Sequence, residues 1–244
     1  MSTSGKKLLA AFRSPVGKKI LTGATGLGLT IFVLTHMLGN LSYLSSEPNA
    51  YNNYADTLLN LGPLLYLLEL GLLAFFVIHI VTGINIYRRK RQARDVGYTA
   101  YHSVGKPSMQ TFSSRTMILT GLVVLVFLVI HLVSFKFGPG VAEGYVVEVE
   151  GKAIRDLKRL MTENFRNPLY AFGYPFVVIL LGFHLRHGVW SAFQSLGAMN
   201  PKLTPIIYTI GVLLAVLVSI GFIVVPLYIF FFVDAAASTA GMGP

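Results

Sequence analysis

Apolar residues gather into five long blocks along the chain, at positions 16–44, 63–87, 113–137, 168–196 and 204–233, with polar residues crowded between them. A helix that crosses the hydrocarbon of a bilayer needs about 20 largely apolar residues. Each block is long enough, so the pattern predicts an all-α membrane protein with five transmembrane helices in one domain spanning residues 1–244. Punctuation agrees at several ends. Pro63 and Pro168 suit a first helical turn, where the missing N–H is no loss. Gly138-Pro139 breaks the third helix, and Pro175 and Pro226 lie inside the fourth and fifth, where they predict kinks. In the third loop, VEVEGKAIRDLKRLMTENF predicts a short amphipathic helix.

Composition strengthens this picture. Hydrophobic residues make up 54% of the 244 and charged residues only 12%, with a mean hydropathy of +0.64. A soluble domain carries about 25% charged residues, so this chain has too little polar surface for water on all sides. Its net charge of +10 reads as loop topology, with no nucleic-acid partner implied. The apolar block after the basic N-terminus is too long for a signal peptide and lacks a small-residue cleavage site, so it is expected to stay as a span.

Lysine and arginine set the orientation. Five precede or open the first helix (Lys6, Lys7, Arg13, Lys18, Lys19), and seven lie in 88–115. Loop 45–62 has none, and in 136–166 six are offset by five acidic residues. The N-terminus is therefore expected in the cytoplasm, with loops one and three and the C-terminus outside.

No cysteine occurs, which excludes disulfides, thiolate-held iron–sulfur clusters and thioether-linked haem. No phosphate-binding loop is present; Gly23, Gly26 and Gly28 sit in an apolar helical run. A redox centre here needs ligands other than sulfur.

Five of the six histidines lie in spans: His36, His79 and His131 in the first three helices, His184 and His187 in the fourth. His102, in the basic loop, is expected in solvent. One such histidine alone reads as a satisfied polar residue, but one on each of four helices suits haems held between facing helices. At about 1.5 Å per residue, His79 lies about 14 Å from the Arg88 cluster. On the same rise His36 lies about 25 Å from Lys19, and His131 about 24 Å from Arg115. That depth pairs His36 with His131 around an outer iron and His79 with the fourth helix around an inner one. Depth admits either His184 or His187. Small residues stand about one turn after each candidate: Gly39, Gly83, Ser134 and Gly188. They leave room for a flat porphyrin, or equally for helix packing. Six-coordinate haem b has no open position and transfers electrons.

In order on successive helices, LTHMLGN, FVIHIVTG, VIHLVSF and GFHLRHGVW, with YNNYADTLLNLGP in the first loop, resemble one family. It is the cytochrome b558-type membrane anchor of succinate dehydrogenase and fumarate reductase, in its five-helix, two-haem, single-polypeptide class. The resemblance runs from KKILTGATG to the fifth helix. It implies a four-helix haem-binding bundle plus a fifth helix, with two haem b ligated by His36, His79, His131 and His184. In the fourth helix the family ligand stands four residues before a glycine and six before an aromatic residue. His184 meets this with Gly188 and Trp190; His187 has Ser191 and Phe193 there.

The resemblance further implies a bacterial cytoplasmic (inner) membrane and a flavoprotein and an iron–sulfur subunit docked on the cytoplasmic face. The residues 88–94 and Lys106 are suited to that docking, though positive-inside topology explains the same charges. Electrons then pass to or from a membrane quinone, menaquinone in this class, and the anchor is a non-catalytic-alone part of a tricarboxylic acid cycle enzyme. Glu69, the acid inside the second span, is the candidate proton donor or acceptor for quinone; a structural hydrogen-bonded Glu is the alternative. Where family members carry an acid two residues before the fourth-helix ligand, this chain has Gly182. Thr22, Gly23, Thr25, Arg186 and His187 are candidate contacts to haem propionates.

Two other readings stand beside this one. A cytochrome b subunit of a formate dehydrogenase or hydrogenase-type complex also uses histidine-rich helices, with order and flanks that fit less well. A haem-free transporter or proton channel would use the histidines as relays, but no inverted repeat is evident.

Overall fold

A computed structural model describes residues 10–93 and 112–233, apart from the side chains of 112–114. The expectations for Lys6, Lys7, Arg94, His102, Lys106 and the C-terminal tail lie outside the described residues. In chain order the elements are α1 (Pro15–Leu41), α2 (Ala50–Leu59), α3 (Pro63–Gln92), α4 (Phe112–His131), β1 (Val146–Val149), β2 (Lys152–Arg155), α5 (Leu157–Arg166), α6 (Pro168–Ser195) and α7 (Leu203–Phe232). The helices α1, α3, α4, α6 and α7 are long and apolar enough to cross a membrane, and the protein is an all-α, multi-pass membrane type.

Local chemistry explains the ends. Pro15 opens α1 behind Ser14, whose hydroxyl oxygen accepts the Gly17 N–H at 2.9 Å as an N-cap. Pro63 and Pro168 start α3 and α6. Gly197, at φ +76°, ends α6 in the left-handed conformation that a C-terminal cap requires. α6 and α7 run through Pro175 and Pro226 without ending. α3 buries a single side chain, Thr82, and offers apolar residues all round, which suits a helix solvated by lipid.

Three features depart from the pattern read along the chain. α3 stays helical through Arg88, Arg89, Lys90 and Arg91, five residues past the expected end at Tyr87. α4 closes in a π-helical turn, Leu132–Lys136, in which the Phe137 N–H reaches the Leu132 carbonyl at 2.8 Å. In the third loop the predicted amphipathic helix forms only over Leu157–Arg166; VEVEGKAIR is an antiparallel hairpin, with Val146 opposite Arg155. Its turn residues Glu150 and Gly151 both have positive φ, the backbone a two-residue hairpin needs.

The chain forms two compact units, Met1–Ile31, Leu70–Gly121 and Phe183–Leu214 in one, Phe32–Glu69, Leu122–Gly182 and Ala215–Pro244 in the other. The first unit is packed on small residues. A Cβ on Gly23 would lie 3.2 Å from the Ala192 Cα, so α1 and α6 touch backbone to backbone there. The second has a core of Tyr43, Tyr51, Met161, Phe165, Val225 and Ile229.

Polar contacts tie the loops of the second unit to that core. Asn52, 2% exposed, donates to Asp156 Oδ1 at 2.9 Å and accepts the Lys158 N–H at 2.9 Å. Asp156 in turn caps α5 through the Arg159 N–H. The Arg155 guanidinium donates to the carbonyl of Phe135, in the turn that closes α4, and to those of Gly138 and Pro139 just beyond it. On the exposed face, the hydrogen bond from Lys152 holds the Asp56 carboxyl below its ordinary value.

Candidate functional site

The histidines of the four helices come together in two pairs. In the first unit, His79 of α3 and His184 of α6 have ring centroids 6.3 Å apart, with planes at 65°. In the second, His36 of α1 and His131 of α4 are 5.7 Å apart, at 82°. Two imidazoles on opposite sides of one metal ion, each bonded at about 2 Å with its ring centre about 1 Å beyond the nitrogen, have centroids roughly 6 Å apart. Both pairs match that spacing.

Each ring of the first pair sits in a socket on a neighbouring helix. His79 Nδ1 is 3.1 Å from the Thr22 carbonyl oxygen on α1. A carbonyl only accepts, so Nδ1 carries the proton and Nε2 keeps a free lone pair. Beside that bond, a Cβ on Gly26 would lie 3.1 Å from His79 Cε1, so glycine is what lets the ring approach α1. His184 repeats the arrangement on α4. Its Nδ1 is 3.2 Å from the Thr120 hydroxyl, and a Cβ on Gly121 would lie 3.2 Å from its Cε1. The Thr120 proton goes back to the Thr116 or Met117 carbonyl, at 3.1 and 3.2 Å, so the hydroxyl accepts from His184. Both rings thus offer Nε2 as a ligand atom.

The second pair is held by aromatic rings instead. Phe32 stacks on His36 at 5.4 Å and Phe127 on His131 at 5.9 Å, each one turn before its histidine. Phe222 lies 5.8 Å from His36, and Tyr174 lies 6.2 Å from His131. His131 Nδ1 is buried and has no hydrogen-bond partner. His36 Nε2 is 3.4 Å from the Asn40 amide nitrogen, which makes its shorter bond, 2.8 Å, to the His36 carbonyl.

The first pair fits haem better than a bare ion. Among the described residues no group of three or more His, Asp or Glu side chains converges on one point. A porphyrin supplies four equatorial nitrogens, so two axial imidazoles complete the shell. At Gly83 and Gly188, each four residues after a histidine of the first pair, a Cβ would meet nothing within 4 Å, so the space one turn along from each is open. Near the second pair, by contrast, Gly39 makes way for the Tyr54 ring of α2, and Ser134 bonds the Tyr170 hydroxyl at 2.9 Å.

The remaining candidates separate. Thr22 joins the His79 socket through its carbonyl, while its hydroxyl is 2.6 Å from that of Thr82. The Thr25 hydroxyl donates to its own helix, at the Leu21 carbonyl, 2.7 Å away. Gly23 backs onto Ala192, as above. Arg186 bonds the Tyr208 hydroxyl and lies over that ring at 5.2 Å, and His187 is 5.9 Å from the Trp190 ring. Glu69 is ion-paired with Lys136, the last residue of the π turn.

Sequence reasoning missed Gly26, Gly121, Thr120, Asn40 and the stacked phenylalanines. A signal for some was present. Gly26 and Gly121 each stand ten residues before a histidine (His36 and His131), and Phe32, Phe75 and Phe127 each stand four before one. Comparison with known proteins adds no name to this geometry: no family model matches the chain, and no curated protein or solved structure does.

Proposed function

We propose that this chain is the di-haem b membrane anchor of a succinate:quinone oxidoreductase, acting in succinate dehydrogenase or fumarate reductase. The carrying observation is the convergence of four histidines from four spans into two pairs at ligand spacing, with Nε2 free in both rings of one pair. His36 and His131 would hold one haem iron, and His79 and His184 the other. When bound, the haem would supply one-electron transfer. The chain's residues orient the imidazole rings, pack phenylalanines against the second pair, and would meet haem propionates through Arg186 and His187. Glu69, with Lys136 beside it, handles the proton at the quinone site.

With no cysteine, the chain cannot hold a thiolate-ligated iron–sulfur cluster, so that work falls to partners. In this reading a flavoprotein and an iron–sulfur protein dock on the cytoplasmic side of a bacterial inner membrane. The basic end of α3, Arg88 to Arg91, faces them, and menaquinone is the lipid-side substrate. The N-terminus lies in the cytoplasm and the C-terminus outside.

Affinity purification of the tagged chain from haem-replete membranes tests the assignment. The expected result is co-purification of one flavin-containing and one iron–sulfur protein, with succinate-dependent reduction of a short-chain naphthoquinone. Recovery with a formate- or hydrogen-oxidising module instead, or of the chain alone, contradicts it.

A further inference from the structure

We infer that Thr120 is the positioning residue for His184, its hydroxyl accepting the Nδ1–H and so fixing the ring and strengthening Nε2 as an iron ligand. This rests on the di-haem reading above. Thr120 is 4% exposed, so its hydroxyl needs hydrogen-bond partners within the protein. It is satisfied twice. Its proton returns to the Thr116 or Met117 carbonyl, and that bond turns a lone pair of the oxygen toward His184 Nδ1, 3.2 Å away. Gly121, the next residue, removes the Cβ that would press on His184 Cε1. Together the two residues set both the rotation of the imidazole and which nitrogen holds its proton.

The opposite ring shows the same logic with different atoms. His79 donates to a main-chain carbonyl, that of Thr22, and rests against Gly26. No side-chain substitution deletes a carbonyl. His184 also has the Met117 carbonyl within hydrogen-bond reach on α4. Thr120 is the side-chain acceptor of this pair, the one a point mutation removes. A ligand imidazole that donates from its far nitrogen gains imidazolate character and becomes a more basic ligand. A more basic axial ligand favours the ferric state and lowers the reduction potential.

The test compares Thr120→Val, which keeps the branched shape and loses the acceptor, with Thr120→Ser, which keeps the hydroxyl. Both are made in the full chain and in a His131→Ala background, where the His79–His184 haem is read alone. In Thr120→Val the midpoint potential of that haem moves upward and its ferric low-spin EPR g-values change; the other haem does not respond. Thr120→Ser restores both signals. Thr120→Ala deletes the same acceptor with less bulk and shifts the potential in the same direction, so a fault in folding of the valine variant does not decide the matter. Unchanged potential and g-values in Thr120→Val and Thr120→Ala overturn the inference while leaving the haem reading intact. A colourless parent chain overturns that reading, and this inference with it.

Discussion

His184→Ala lowers the haem content from two per chain to one, whereas His187→Ala leaves two. The residues are three apart on α6, so helix depth does not separate them, but their surroundings do. His184 has the Thr120 hydroxyl 3.2 Å from its Nδ1, a glycine against its Cε1, and the His79 ring at 6.3 Å. His187 turns toward Trp190 and lies beside Arg186. Loss of one imidazole leaves His79 as the one histidine of this pair, and the haem there is expected to be lost on purification. The haem proposed between His36 and His131 is expected to persist, since those residues lie on α1 and α4. Pyridine hemochrome on the two purified variants reads the result directly. Loss of haem in His187→Ala with retention in His184→Ala reverses the assignment.

Glu69→Gln removes quinone turnover by about a hundredfold or more, the usual scale of a lost general acid or base, while both haem spectra survive. The acid stands in α3, seven positions in from Glu's end of the helix at Pro63 counted inclusively, where an unpaired carboxylate would be costly in hydrocarbon. Lys136 neutralises it, and the π turn that follows His131 is what carries that lysine to α3. The ion pair also supplies the partner that a purely structural role would require. Turnover separates the two roles. Glutamine still accepts a hydrogen bond from Lys136 but does not carry a proton, so a structural Glu69 leaves turnover within a few-fold of the parent.

The spans were legible because lipid imposes length and composition directly on sequence; α1, α6 and α7 begin within one residue of their expected starts. Pairing of the histidines was legible for a related reason, since depth in a helix is proportional to position. What stayed hidden depends on contacts that cross the chain. Thr120 and His184 are 64 positions apart, and Asn52 and Asp156 are 104 apart. Neither threonine nor asparagine announces such a partner. The hairpin at VEVEGKAIR was missed although valine and glutamate alternate there with period two, because the helix of 157–166 dominated the reading of the loop. The π turn leaves no local mark, and the Arg155 that bonds its Phe135 carbonyl is 20 positions away.

The central claim is that two histidine pairs hold two haems, and its most direct test is the haem count of the isolated chain. Protein purified in detergent from haem-replete membranes is expected to be red, with the reduced alpha band of haem b and close to two haems per polypeptide by pyridine hemochrome. A colourless preparation contradicts the account.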